Sequence, residues 1–320
     1  MNWKRNSSSD FTGKFTGGRN LTEALAKVRS LNQSGIGAIL DYCSFRPRSG
    51  HPFDLVTHEV QRIKKSSVSL PGPRGFVLKL SRLIPLNLHG NKMPDNFSGK
   101  SGKGFFTEFF GEIEFITVTL ADAGVEVIID HDDELSMDTR MTIYHFLAEK
   151  FNFKLPTVYF TVQVQNSEGL TLLNRILTDE IITGKYAGIV LVKGYQSGQG
   201  SNNNGRRNFR AAIDLCLDRI HNVGLNIATH DEDIIQYGIN RIKKSKIKPS
   251  DSFVQFSQAL GIKDSLTLRI AGDGFNVCKY VPYGDYRYLI PSLAEMLRKN
   301  RKIQNYFAGE LKNKFAELKG

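Results

Sequence analysis

Residues 275–300, FNVCKYVPYGDYRYLIPSLAEMLRKN, decide how the chain is read. Positions 275–281 alternate and are rich in aromatic and β-branched residues, the pattern of a buried strand. Pro282-Tyr283-Gly284 is expected to stop that strand, because proline has no N–H for a ladder and glycine permits a sharp turn. A long helix is expected next. Tyr280 then stands at the strand's end, with its ring and hydroxyl directed beyond the sheet. Strand, tight turn and helix make one βα unit, and the rest of the chain repeats it.

Residues 21–33 place Leu21, Leu25, Val28 and Leu31 at a helical period, with Asn20 as cap and Gly35 past the end. Strands are expected at 37–43 (GAILDYC), 76–80 (FVLKL), 125–130 (VEVIID), 157–163 (TVYFTVQ), 188–193 (GIVLVK), 224–230 (GLNIATH), 252–256 (SFVQF) and 275–280. Helical patterns fall at 53–65, 105–123, 134–151, 169–183, 206–222 and 232–244. The strands are short and apolar rather than cleanly alternating, as parallel strands covered on both faces are. Eight such units in 320 residues predict an α/β fold, a single-domain (β/α)8 TIM-like barrel. The barrel is expected over 15–320, after a flexible segment at 1–14. The Gly-, Ser-, Asn- and Lys-rich stretch beginning at Ser81 predicts an inserted surface loop, about 84–104. QSGQGSNNNG at 196–205 predicts a mobile loop.

Several classes are excluded. No GxGxxG follows an early strand, which argues against a doubly wound dinucleotide fold. GKSGKG at 99–104 is not a phosphate loop, because Pro94 stands where GxxxxGK[ST] needs glycine. The seven histidines form no HxH or HExxH, so no metal site is expected. No GxSxG appears. Cys43, Cys216 and Cys278 have no CxxC spacing and suit inert thiols in a reducing compartment. No apolar run approaches a membrane span, and MNWKRNSSSD lacks the apolar core of a secretory signal. A soluble intracellular protein is expected, mitochondrial (matrix or inner-membrane surface) or cytoplasmic. The net charge of +11 gathers at 62–65, 241–248 and 298–302. These clusters lack interleaved aromatics, so they read as solvated helix faces with peripheral contact to anionic lipid as the leading use, and no nucleic acid is expected.

In a closed parallel barrel, chemistry sits at the carboxyl ends of the strands. Those ends hold Asp41 and Tyr42, Lys79, Asp130, Gln163, Lys193, Thr229-His230-Asp231, Gln258 just past the seventh strand, and Tyr280. Lys79 and Asp130 stand out, because ionised groups rarely end apolar strands unless paired or used. They are either an ion pair that fixes the barrel or part of a pocket with one cation and one anion.

At this point the residues resemble a known family, the proline dehydrogenases, from about Phe15 onward. NLTEALAKVRSLNQSGIGAILDY (20–42) is similar to the family's leading helix and first strand, and FVLKL to its second. IIDHDDE (128–134), FTVQVQ (160–165), LVKG (191–194), IATHDED (227–233), VQFSQALGI (254–262) and KYVPYG (279–284) continue the series in order. The resemblance implies FAD, hydride removal from the carbon beside the proline ring nitrogen, pyrroline-5-carboxylate as product and a quinone-type acceptor. It also implies roles. Lys79, Asp130, Tyr280 and Lys193 would be catalytic, with Lys193 facing the flavin ring. Gln163, Lys193, Gly194, Thr229, His230, Asp231 and Gln258 would hold the cofactor.

The chain departs from the family at two places. On the last helix, the arginine positions hold Glu295 and Met296, the tyrosine position Ser292, and the glutamate position Lys299; Arg298 is offset by two, and Arg287 is the other nearby arginine. After the fifth strand, Phe209-Arg210 stands where the family contacts the phosphate and adenine side, with Arg206, Arg207 and Arg210 as candidate pyrophosphate partners. Two alternatives therefore stand beside proline oxidation: a flavoenzyme on this fold taking another amine, and a non-catalytic binding or assembly protein.

Overall fold

The structure is a computed structural model that describes residues 13–44, 53–68, 71–83, 102–132, 134–194 and 202–299. Side chains at 102–106, 180–182, 202–203 and 297–299 fall outside the description, as do the other residues of the insertion and most of 1–14 and 196–205.

Helix α1 (Leu21–Gln33) precedes the first strand. Asn20 caps it by accepting from the Glu23 amide. The strands are β1 (Gly37–Tyr42), β2 (Gly75–Leu78), β3 (Glu126–Ile129), β4 (Val158–Gln163), β5 (Ala187–Val192), β6 (Val223–Ala228), β7 (Val254–Ala259) and β8 (Val277–Tyr283). Between and after them come α2 (Phe53–Ser67), α3 (Gly102–Asp122), α4 (Met137–Phe151), α5 (Ser167–Ile182), α6 (Asn202–Leu217), α7 (Glu232–Lys244), α8 (Asp264–Gly272) and α9 (Tyr286–Lys299). Each strand pairs in parallel with the next and β8 pairs with β1, so the barrel closes in chain order, as expected.

Closure divides the apolar residues into two layers. One lies between sheet and helices and includes Leu40, Phe76, Val127, Phe160, Ile189, Leu225, Phe256 and Val281. The other fills the interior with Ile39, Val77, Ile128, Tyr159, Val190 and Cys278. Tyr159 fits inside because the neighbours in its register, Gly188 and Gly224, have no Cβ. A Cβ at Gly188 would lie 2.9 Å from the tyrosine ring and one at Gly224 2.5 Å from its hydroxyl.

Three boundaries differ from expectation. β8 runs through Pro282, paired with Asp41, to Tyr283. Pro282 belongs to the side of the strand where β7 pairing has ended at Tyr280, and there its carbonyl accepts from the Gly17 amide, so the missing N–H is not needed. Tyr280 is accordingly mid-strand rather than terminal. β7 starts later than expected and contains Gln258. The segment read as loop from Ser81 begins as a 3-10 turn, Leu80–Arg82, with Leu80, Ser81 and Leu83 buried, and α3 starts at Gly102.

Candidate active site

Parallel strands in a closed ring bring all eight carboxyl ends to one rim. On the β1–β2–β3–β8 arc they assemble a charged cluster around Asp41, which is 1% exposed. Arg82, from the turn after β2, donates to Asp41 Oδ1 at 2.7 Å and to the Tyr42 carbonyl at 2.6 Å. Lys79 Nζ lies 3.4 Å from Asp41 Oδ2 and 3.9 Å from Asp130 Oδ2. The Tyr280 hydroxyl donates to Asp41 Oδ2. Lys79 and Asp130 therefore do meet, but the closer partner of Lys79 is Asp41.

Electrostatics fix the protonation of this group. Burial alone would raise the Asp41 pKa, but Arg82 and Lys79, with the Tyr280 hydrogen bond, hold it at about 2. Burial lowers Lys79, yet the carboxylates of Asp41 and Asp130 carry it above its ordinary value. Burial, with Asp41 and Asp130 beside it, pushes Tyr280 well above the usual phenol range. At neutral pH Asp41 is an anion, Lys79 a cation and Tyr280 neutral. Burial raises the Cys43 thiol to about 11, so it stays protonated.

The β4–β6 arc faces this cluster across the rim. Gln163 ends β4, and Gly194 passes over it at φ +82°, where a Cβ would stand 3.0 Å from the Gln163 side chain. Lys193 lies beside the first turns of α6: a Cβ at Gly205 would be 3.5 Å from its Cε. Thr229 Oγ1 accepts from the Asp231 amide, and Asp231 caps α7 through the Asp233 amide. His230 Nε2 accepts from the Ala259 amide at 2.9 Å, which puts the ring proton on Nδ1. Burial, with Lys279 and Lys263 nearby, lowers the His230 pKa to about 3, so the ring is neutral. Deeper in the barrel, Thr161 Oγ1 and Asn226 Nδ2 are buried without a hydrogen-bond partner among the described residues.

Two expected cofactor contacts are placed differently. Gln258 faces the helix layer, because the inward residues of β7 are Gln255, Ser257 and Ala259. Its amide donates to the Thr229 carbonyl at 3.3 Å and accepts from Thr267 on α8 at 2.5 Å. It braces Thr229 from behind. Asp231 is engaged by Arg206 at 3.0 and 3.2 Å, and Arg206 also reaches Asp233 at 2.8 Å. Among the candidate pyrophosphate arginines, Arg206 is thus already paired, and Arg210 lies over the Tyr237 ring at 5.2 Å. Phe209 is core.

On α9, Leu289 and Leu293 pack on Cys43 with Met296 beside them, and Ser292 Oγ accepts from Arg82 at 3.4 Å. Glu295 is exposed, Arg287 is paired with Asp285, and the side chains of Arg298 and Lys299 lie outside the described residues.

The sequence reading missed Arg82 and noted Asp41 without a role. Asp41 carried the same signal as Lys79, an ionisable residue closing an apolar strand. Arg82 was hidden because its segment was read from the loop composition downstream. The apolar spacing of Leu80 and Leu83 marks the turn as buried.

The proline dehydrogenase family model matches residues 199–307. Proline dehydrogenase 1, mitochondrial, of Dictyostelium discoideum is 23% identical over 356 residues, covering 91% of this chain and 61% of the relative. The Drosophila melanogaster protein of the same name is 23% identical over 239 residues, covering 67% of this chain and 35% of the relative. The carbapenem antibiotics biosynthesis protein CarD of Pectobacterium carotovorum is 21% identical over 313 residues, covering 93% and 81%. The chain thus spans under two thirds of the two proline dehydrogenases. Among solved structures, proline utilization A from Bdellovibrio bacteriovorus, inactivated by N-propargylglycine, superposes with a TM-score of 0.74 at 15% identity, covering 92% of this chain and 32% of that one. At that identity the match speaks for the fold. In sequence the chain resembles the proline dehydrogenases, by the family model over residues 199–307 and by the Dictyostelium discoideum relative over 91% of its length, and its barrel fold is shared with proline utilization A.

Proposed function

We propose that the chain is an FAD-dependent proline dehydrogenase. The observation that carries the reading is the Lys79 cation set between Asp41 and Asp130, with the Tyr280 hydroxyl on the same Asp41 oxygen, at one rim of the barrel. The residues of the β4–β6 arc fit an isoalloxazine. Gln163 and the backbone at Gly194 offer amide groups, neutral His230 offers an Nδ1 proton, and Thr161 and Asn226 leave unsatisfied polar atoms below. Gln163, Lys193, Gly194, Thr229 and His230 would hold the ring, with Asp231 and Gln258 bracing that wall. When bound, FAD accepts the hydride that leaves the ring carbon next to the proline nitrogen.

The chain's own residues do the rest. Lys193 supplies a positive charge where negative charge accumulates, the kind of fixed stabilisation worth most away from water. Lys79, pinned by two carboxylates, acts as a fixed cation and not as a base. Tyr280 spends its hydroxyl on Asp41 and presents its ring as a wall for the substrate. A quinone-type acceptor belongs to the same reading, as does a mitochondrial compartment, which the relatives' names support. None of the described helices is long and apolar enough to cross a membrane, and the basic last turn of α7 is the surface offered to an acceptor's anionic membrane.

A second reading, oxidation of another amine, is favoured by Ser292 and Met296, which bring no cation from α9. The test is optical. The purified chain with added FAD is expected to turn yellow and to bleach when L-proline is supplied anaerobically. Yellow protein that bleaches only with other amines favours the second reading, and protein that takes up no FAD defeats both.

A further inference from the structure

We infer that Arg82 is the anion anchor of this pocket, holding the ligand's carboxylate against its NH2 edge. The inference rests on the reading of the rim as an amino-acid site. Arg82 NH1 is fully used, with contacts of 2.7 Å to Asp41 and 2.6 Å to the Tyr42 carbonyl. NH2 is not. Its contacts among the described residues are the Ser292 hydroxyl, long at 3.4 Å, and the Cys43 sulfur at 3.8 Å, a weak acceptor, and neither carries a charge. A carboxylate is a much stronger acceptor for that edge, and charge-assisted bonds to a guanidinium favour it over a neutral amide.

The charges of the cluster balance, Arg82 and Lys79 against Asp41 and Asp130, but Asp130 pairs with Lys79 at 3.9 Å, and Arg82 shares its carboxylate partner, Asp41, with Lys79. Asp41 also serves as the clamp that orients the guanidinium, so little rotamer freedom is lost on binding. The facing helix supports this. α9 brings Ser292 and Met296 to this side, so the residue facing NH2 from that helix is a small neutral serine with no charge of its own. The Arg82 side chain is 11% exposed, enough for a ligand atom to reach it and little enough for the contact to be desolvated. The substrate class is an α-amino or imino acid whose carboxylate points to the β1–α9 side, with Lys79 and Tyr280 beside its nitrogen-bearing ring.

The test compares binding of L-proline and L-prolinamide to the full chain by titration calorimetry. Wild type is expected to prefer proline. Arg82→Lys keeps a charge near Asp41 but loses the fork, and is expected to shrink that preference by about tenfold or more. Ser292→Asp places an internal carboxylate beside NH2, and is expected to abolish the preference with Tm equal to or above wild type. A preference left intact in Ser292→Asp overturns the anchor even if Arg82→Lys fails to fold, and so does a wild type that binds both ligands equally. A preserved pattern of binding without proline-dependent bleaching supports the anchor and counts against the proposed reaction alone.

Discussion

The two ends of the barrel interior each hold a buried carboxylate, and they use it differently. At the amino-terminal end, Glu126 is 7% exposed and is met by Arg74 at 2.7 Å, Gln255 at 2.9 Å and the Tyr159 hydroxyl at 3.3 Å. The Gln255 carbonyl in turn accepts from Cys278 at 3.2 Å. At the carboxyl-terminal end, Asp41 is met by Arg82, Lys79 and Tyr280. Burial dominates at Glu126 and raises its pKa despite Arg74, whereas two cations overcome burial at Asp41 and lower its pKa. One guanidinium that is 39% exposed cannot outweigh desolvation; two cations and a hydroxyl can. The amino-terminal group is a polar plug in which Glu126 is paired on both oxygens, with Arg74 Nε left without a hydrogen-bond partner among the described residues. The carboxyl-terminal group keeps Lys79 and Asp130 each 26% exposed, which is what a site open to a ligand needs.

The largest expected effect separates the two carboxylates. Asp41→Asn strands two cations and should cost about 3–5 kcal/mol. Glu126→Gln removes an anion that burial already disfavours and should cost about 1 kcal/mol or less. Urea unfolding of both variants measures the gap, and equal losses would erase the distinction. Next comes chemistry. Lys193→Met should slow proline-dependent flavin bleaching about 100-fold. Tyr159→Phe, in the plug, should leave that rate alone and cost about 1 kcal/mol of stability. Stopped-flow bleaching of the two proteins checks this.

The pH dependence of stability should differ in sign. Asp41 titrates at about 2 folded against 3.8 for the ordinary carboxyl, so its contribution is complete above 3.8 and is lost as pH falls toward 2. Asp41→Asn should flatten that acid limb. Glu126 titrates above its ordinary 4.5, so its contribution is complete below that value and is lost as pH rises through the folded pKa. The difference between wild type and Glu126→Gln should therefore move toward wild type on acidification, as Tm scans between pH 7 and 4 will show. The smallest effect sharpens the rim itself. Gln258→Met should cost about 1 kcal/mol by removing the brace on Thr229, with FAD affinity changed far less than by Gln163→Met. A larger FAD loss at Gln258 would mean that it touches the cofactor directly.

The barrel was readable because period and composition are local. Apolar strands such as GAILDY and GIVLVK, separated by amphipathic helices, leave few architectures that bury both faces. Helix α1 at Leu21–Gln33 and α7 at Glu232–Lys244 have the bounds their capping residues suggest. Which strand-end residues share the rim also followed, since a closed parallel barrel sends every carboxyl end to one side. Facing was harder. Gln258 and Ser257 are neighbours in sequence, and only the β7 register says which points inward. Partner choice was harder still, because Asp41 and Arg82 are 41 residues apart and meet only when β1 and β2 pair.

What the sequence determined by itself is the repeat of buried strand and amphipathic helix, and with it the closed barrel and its polar rim. What only the tertiary structure decided is which charges neutralise one another. Strand and helix preferences are set by nearest neighbours along the chain. The choice of Asp41 over Asp130 as the closer partner of Lys79, and the placing of Arg82 between Asp41 and Ser292, depend on distances and burial that arise only when four separate segments close the rim.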